Sequence, residues 1–345
     1  MAVKRINLAL QGGGAHGAFT WGALDRLLCE DGIEIAAISG TSAGALNGAA
    51  VKAGMLSGGR EGARENLDWL WRQIGALDDA AVPGWMNAGG PPVSVVSKSI
   101  EYSPYFAVLD TASRMLSPYG WGPFYNNPLR RIVEQFNFDK VCAADGPGFF
   151  VSATNVRTGK IRVFRGREIG TDSILASACL PTLFQAVEIE DPESGLSEAY
   201  WDGGYTGNPA LFPLYDKALP DDIVVININP LYRGRVPRTP QDIQNRINEI
   251  SFNAALLQDL RAIRFVHRLI GEGAVQKGQM KDVLVHMIAD DTLMTQLSVA
   301  TKIVAAPYII AQLKEAGQRA ADSFLQEHKQ DIGTRGSVDL AAMFS

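Results

Sequence analysis

Ser42 sits in Gly40-Thr41-Ser42-Ala43-Gly44, the G-x-S-x-G spacing that puts a serine on a tight turn between strand and helix. Such a turn brings backbone so close that flanking side chains would collide, and glycines at both flanks remove them. The hydroxyl is then presented at a helix N-terminus, where the dipole favours developing negative charge. The matching chemistry is nucleophilic attack on an acyl carbon. Chance alone often supplies the spacing, and a bland reading exists, in which Thr41 or Ser42 merely caps a helix. The surroundings must decide.

Two further clusters bear on the choice. Gly12-Gly13-Gly14-Ala15-His16-Gly17 lies between an apolar run and a helical pattern. Successive glycines let backbone N–H groups converge on one anion, so Gly12, Gly13 and Gly14 are candidates for an oxyanion hole. The same loop satisfies G-x-G-x-x-G through Gly12, Gly14 and Gly17, with Glu34 about 20 residues on. A dinucleotide-binding domain is therefore a rival, though it leaves Ser42 unexplained. Trp201-Asp202-Gly203-Gly204, followed by Asn208-Pro209, is the third cluster. A carboxylate next to two glycines can approach another loop and accept a serine proton. Its bland reading is an Asp-Gly turn closing a strand.

Taken in order, glycine loop, GTSAG elbow and DGG turn resemble the patatin-like phospholipase family over about residues 5–230. The resemblance implies an α/β fold, a three-layer α/β/α sandwich with a mostly parallel central sheet. It implies a Ser-Asp dyad with Ser42 as nucleophile and Asp202 as its proton acceptor. Gly12, Gly13 and Gly14 would hold the oxyanion, with Gly40 and Gly44 as the elbow glycines. The implied substrates are phospholipids, lysophospholipids or other acyl esters, cleaved without cofactor or metal. An acyltransferase or short-chain carboxylesterase would use the same residues, and a silent adaptor would keep the fold without turnover. One departure stands out. Many members carry Arg or Lys where this chain has His16, so a positive charge is not fixed there, and a protonated imidazole would make the site pH-dependent.

A Ser-His-Asp triad needs one of His16, His267, His286 or His328. The order Ser42, Asp202, then His267 or His286 would fit an α/β-hydrolase. Yet His267 lies among Arg261, Arg264 and Arg268 and reads as part of a solvated basic face, and His286 lies inside an apolar run and reads as a packed residue.

The elements that must position these residues follow from periodicity. Arg5–Leu10 and Ile35–Ile38 read as short buried strands, followed by helices over 17–30 and from just after Ser42. This β-turn-α-β-turn-α opening predicts a helix-covered parallel sheet. A helix is expected over 128–136, a hairpin from 148–153 and 160–164, and a short helix over 172–179. Strands are expected at 223–228 and 283–288, and a last helix at 309–327. Between 241 and 270 there is no Gly or Pro, and Ile243, Ile247, Ile250, Ala254 and Leu257 recur in steps of four and three, as on the apolar face of an amphipathic helix. Residues 82–125 are rich in Gly, Pro and aromatics (Trp85, Tyr102, Tyr105, Phe106, Tyr119, Trp121, Phe124, Tyr125), which fits a lid or acyl channel touching lipid as well as a helical insertion. No linker separates two cores, so one domain is expected over 1–345, with a C-terminal helical extension about 241–345.

Composition is that of a globular protein: 345 residues, 46% hydrophobic, 20% charged. The net charge of -5 argues against nucleic acid as a partner. Cys29, Cys142 and Cys179 form neither a disulfide framework nor a zinc pattern, and read as buried thiols of a reducing compartment. No apolar run suits a signal peptide or the ~18 residues of a membrane span. The expected location is the cytoplasm, with peripheral contact to a membrane surface. Oligomeric state is not written in the sequence.

Overall fold

A computed structural model describes residues 3–77, 91–115, 117–191, 195–276 and 278–345. The chain alternates strands and helices as the periodicity predicts. Among the described residues eight strands form one sheet: β1 (Lys4–Leu10), β2 (Ile33–Thr41), β3 (Gly148–Asn155), β4 (Ile161–Arg165), β5 (Val187–Glu190), β6 (Ser197–Asp202), β7 (Asp222–Ile226) and β8 (Leu284–Ile288). Their order is β5-β6-β3-β2-β1-β7-β8, with β4 also paired to β3. The run β3-β2-β1-β7-β8 is parallel, whereas β4, β5 and β6 join antiparallel. Crossover helices make the parallel pairs possible.

β1 is buried from Ile6 onward because both of its faces are covered. Ile6, Leu8 and Leu10 point to one layer with helix α1 (Gly17–Leu28), helix α2 (Ala43–Leu77, broken at Gly58 and Gly59) and the helix Pro307–His328. Ala9, with Ile223, Val225 and Val285, points to the other layer, built on Leu256, Leu260 and Ile263 of the helix Pro240–Gly271. This is the expected α/β/α arrangement. The region beyond 241 is more than a helical extension, since β8 adds a strand to the sheet and its long helix covers one face.

That long helix is turned differently from the reading of its isoleucines. Its buried residues are Glu249, Asn253, Leu256, Leu260 and Ile263, while Ile243, Ile247, Ile250 and Ala254 face solvent. The reason is polar. Glu249 is gripped by Arg233 at 2.8 and 2.5 Å and by Arg246 at 3.2 Å. Asn253 bonds Gln11 and two backbone carbonyls. Rotating the isoleucines inward would break all of these. Truncating one partner of a buried ion pair strands the other charge. Glu249→Ala is therefore expected to lower unfolding stability by about 3 kcal/mol, read by urea denaturation.

Of the aromatic stretch, residues 93–101 and 104–115 are helices, so the helical-insertion reading fits what is described. Trp85 lies outside the described residues, as do the side chains of Trp121 and Phe124. The thiols differ from expectation: Cys29 is exposed, Cys142 half-buried and only Cys179 buried.

Candidate active site

Ser42 lies between the end of β2 and the start of α2, and it is the single described non-glycine residue with positive φ, at 54°. An L-residue there is strained by about 1–2 kcal/mol. The strain persists because the turn is over-determined. A Cβ on Gly44 would collide with the Leu10 carbonyl, and one on Gly40 would meet the Gly44 carbonyl at 2.5 Å. The Ser42 N–H donates to Ser177 Oγ at 2.8 Å, and its carbonyl accepts the N–H groups of Ala45 and Leu46. Among the described residues the Ser42 hydroxyl caps no helix N–H. Thr41 does not cap either, because its hydroxyl is bonded to Ser152 and to the Gly207 carbonyl.

The sheet register brings Asp202 level with Ser42. Thr41 pairs with Ser152 on β3, and the next β3 residue, Ala153, pairs with Asp202 on β6. Ser42 and Asp202 thus flank β3 from opposite sides, two strand spacings or ~10 Å apart at the backbone. Thr154 Oγ1 donates to the Asp202 carbonyl at 2.8 Å and fixes its strand end. The Asp-Gly turn reading also holds in part, since Asp202 Oδ1 accepts the Gly204 N–H at 2.7 Å. Oδ2 is buried and, among the described residues, has no hydrogen-bond partner.

Asp202 is wholly buried, and burial pushes its carboxyl up to about 7. The Gly204 N–H and the Ser42 hydroxyl favour the carboxylate but do not outweigh the desolvation. Ser42 itself is only 7% exposed.

The glycine loop is pressed against the elbow. A Cβ on Gly12 would lie 2.7 Å from Ser42 Cβ, so only glycine fits. The Gly12 N–H, however, donates to Asn208 Oδ1 at 2.6 Å. That removes one of the three expected oxyanion donors. Among the described residues nothing accepts the N–H of Gly13 or Gly14. Gly14 has φ 58° and abuts the Lys302 backbone.

Several supporting residues escaped the sequence reading. Gln11 Oε1 accepts the N–H groups of Ile228 and Asn229, and its amide reaches Asn208 and Asn253. Asn229 Nδ2 donates to the Gly12 carbonyl at 2.9 Å, and Lys302 Nζ donates to Asn229 Oδ1 at 2.6 Å. Burial of Lys302, opposed by Glu249 and reinforced by Arg233, lowers its ammonium to about 8. Gln11 beside the glycines was the available signal. Asn208 belongs to the third cluster, but its hold on the Gly12 N–H, like the roles of Asn229 and Lys302, carries no signal without the fold.

His16 is buried, and burial first, then Lys302, holds its imidazole well below the usual histidine range. Thr301 Oγ1 donates to the Ser298 carbonyl, so His16 Nε2 is the donor in its 2.8 Å bond to Thr301. The ring is neutral at physiological pH, and the nearby charge is on Lys302. None of the four histidines hydrogen-bonds Ser42 or Asp202 among the described residues. His267 bonds the Val283 carbonyl, His286 bonds Asp222 in the core, and His328 bonds Asp331. Glu34 pairs with Arg5 at the start of β2, whereas the glycine loop adjoins its far end. A ribose-binding acid belongs near the glycines, so the dinucleotide reading has no support.

Fold and site define an α/β protein with a strained serine on a strand-to-helix elbow beside a buried aspartate. The chain belongs to the patatin-like phospholipase family, whose model matches residues 8–215. That membership supports lipid acyl hydrolysis as the general activity. No curated protein matches the chain. Among solved structures, VipD from Legionella pneumophila aligns at 13% identity and TM-score 0.35, over 91% of this chain and 67% of that one. ExoU in its heterodimeric complex with SpcU, from the type III secretion system of Pseudomonas aeruginosa, aligns at 16% identity and TM-score 0.32, over 95% and 61%. Neither overlay bears on the assignment.

Proposed function

We propose that the chain is a serine acyl hydrolase of the phospholipase A or lysophospholipase type, acting through Ser42 and Asp202. The observation that carries this reading is the strained Ser42 held level with a buried aspartate whose carboxyl titrates at about 7. A base is most effective when its pKa lies near the working pH, and an ordinary aspartate at ~3.9 would be too weak. Ser42 Oγ attacks the acyl carbonyl as Asp202 Oδ2 takes its proton. The N–H groups of Gly13 and Gly14, with the N-terminus of α2, face the developing oxyanion, and Lys302 adds positive charge behind the loop. Asp202 returns the proton to the departing alcohol. A water then repeats the sequence on the acyl-enzyme, releasing the fatty acid and freeing Ser42. No step requires a metal.

A panel of p-nitrophenyl esters of graded acyl length, with a lysophospholipid and a diacyl phospholipid, tests this reading. Fatty acid release from a lipid ester, unchanged by a chelator, is the expected result. Release from no ester on the panel would end the proposal.

A further inference from the structure

The solvent-facing isoleucines of the long helix belong to a larger surface. Ile243, Ile247 and Ile250 are spaced four and three apart, so they share one helix face. Ile250 is 54% exposed, and the loop leading into the helix adds Tyr232 at 74% and Val236 at 82%. Soluble proteins seldom leave such a group uncovered without a use for it. Charge points to the occupant. Residues 231–254 contain four arginines and two acids. Arg233 and Arg246 are spent on Glu249, and Asp242 accepts a hydrogen bond from the Thr239 hydroxyl. Arg235 and Arg238 are exposed and form no ion pair among the described residues. Branched aliphatics, an exposed tyrosine and two unpaired arginines on one helix and its lead-in are what an anionic lipid surface accepts. The candidate site lies behind the same stretch of helix, on the side opposite the isoleucines and about 200° around from Ile250. On the same helix, Phe252 packs against Gly204, two residues from Asp202, and stacks on Tyr205 with ring centroids 5.4 Å apart.

We infer that the N-terminal half of the helix Pro240–Gly271 and the loop before it dock the protein on an anionic lipid surface, holding the Ser42 site about one helix diameter, ~10 Å, from the membrane. The inference rests on the reading of the chain as a lipid acyl hydrolase, but binding can be measured apart from turnover. In a Ser42→Ala background, which leaves vesicles intact, the full chain is sedimented with phosphatidylcholine–phosphatidylglycerol vesicles and with pure phosphatidylcholine. The parent should bind the mixed vesicles. Ile243→Ser, Ile247→Ser and Ile250→Ser together should weaken binding at least about tenfold. Arg235→Gln and Arg238→Gln should each weaken it about fivefold on the anionic vesicles and leave pure phosphatidylcholine unaffected. With Ser42 intact, the isoleucine variant should hydrolyse a short soluble ester at the parent rate and vesicle phospholipid more slowly. The arginine variants lie on an exposed loop and keep the test open if the isoleucine variant fails to fold. Absence of vesicle binding by the parent, or equal binding by both variant sets, would overturn the inference. So would a parent dimer that the isoleucine changes dissociate while lipid binding stays absent.

Discussion

Ser42→Ala should lower ester hydrolysis by about 10,000-fold or more while leaving the fold in place. The hydroxyl caps no helix N–H, so its loss removes little from stability. Alanine keeps the strained φ of 54°, and the elbow around it is fixed by the Leu10, Gly40 and Gly44 backbone. Ser42→Gly should be equally inactive but more stable by about 1 kcal/mol, because glycine tolerates positive φ. Circular dichroism and thermal melts of the two variants, beside their rates, separate loss of the nucleophile from loss of the fold. Hydrolysis at the parent rate in either variant would place the chemistry elsewhere.

Asp202→Asn should abolish turnover by a similar factor and at the same time stabilise the protein at alkaline pH. Asparagine keeps the acceptor for the Gly204 N–H and cannot ionise. In the parent, the folded carboxyl titrates at about 7, above its unfolded value of 3.8. Folding therefore favours the protonated form. The stability it contributes is full below about 4 and is lost as pH rises to 7, levelling off above. At 1.36 kcal/mol per unit over roughly three units, the ionised carboxylate weakens the fold at pH 8 by on the order of 4 kcal/mol. Asp202→Asn should thus match the parent near pH 4 and exceed it at pH 8, by urea unfolding at both. Activity runs the other way in the parent: kcat/KM should rise through about pH 7 as the base deprotonates. A parent profile flat between pH 5 and 9 would contradict that role.

The first 55 residues were the most legible part. Both strands there centre on short apolar runs, Ile6–Leu10 broken by Asn7 and Ile35–Ile38, that lead into glycine turns, and each turn is set by backbone crowding that only glycine relieves. The antiparallel strands β5 and β6 were harder to see, because they lie at the sheet margin with alternating half-buried residues. Asp202 could be found from its glycines, but its level with Ser42 depends on β3 lying between them. The long helix shows how periodicity can mislead. Isoleucines at helical spacing located the helix correctly yet marked its outer face, because Glu249 and Asn253 have buried partners that no spacing rule reveals. The Gly12 N–H likewise reads as free from the sequence, but Asn208 Oδ1 accepts it.

Fluorophosphonate labelling followed by peptide mapping across a pH series, on the parent and on Asp202→Asn, tests the pairing of Ser42 with Asp202 most directly. The pairing predicts a single adduct on Ser42, formed in the parent at a rate that rises through about pH 7 and in Asp202→Asn only slowly and without that rise. An adduct on another residue, or Ser42 labelled equally fast in both proteins at every pH, would contradict it.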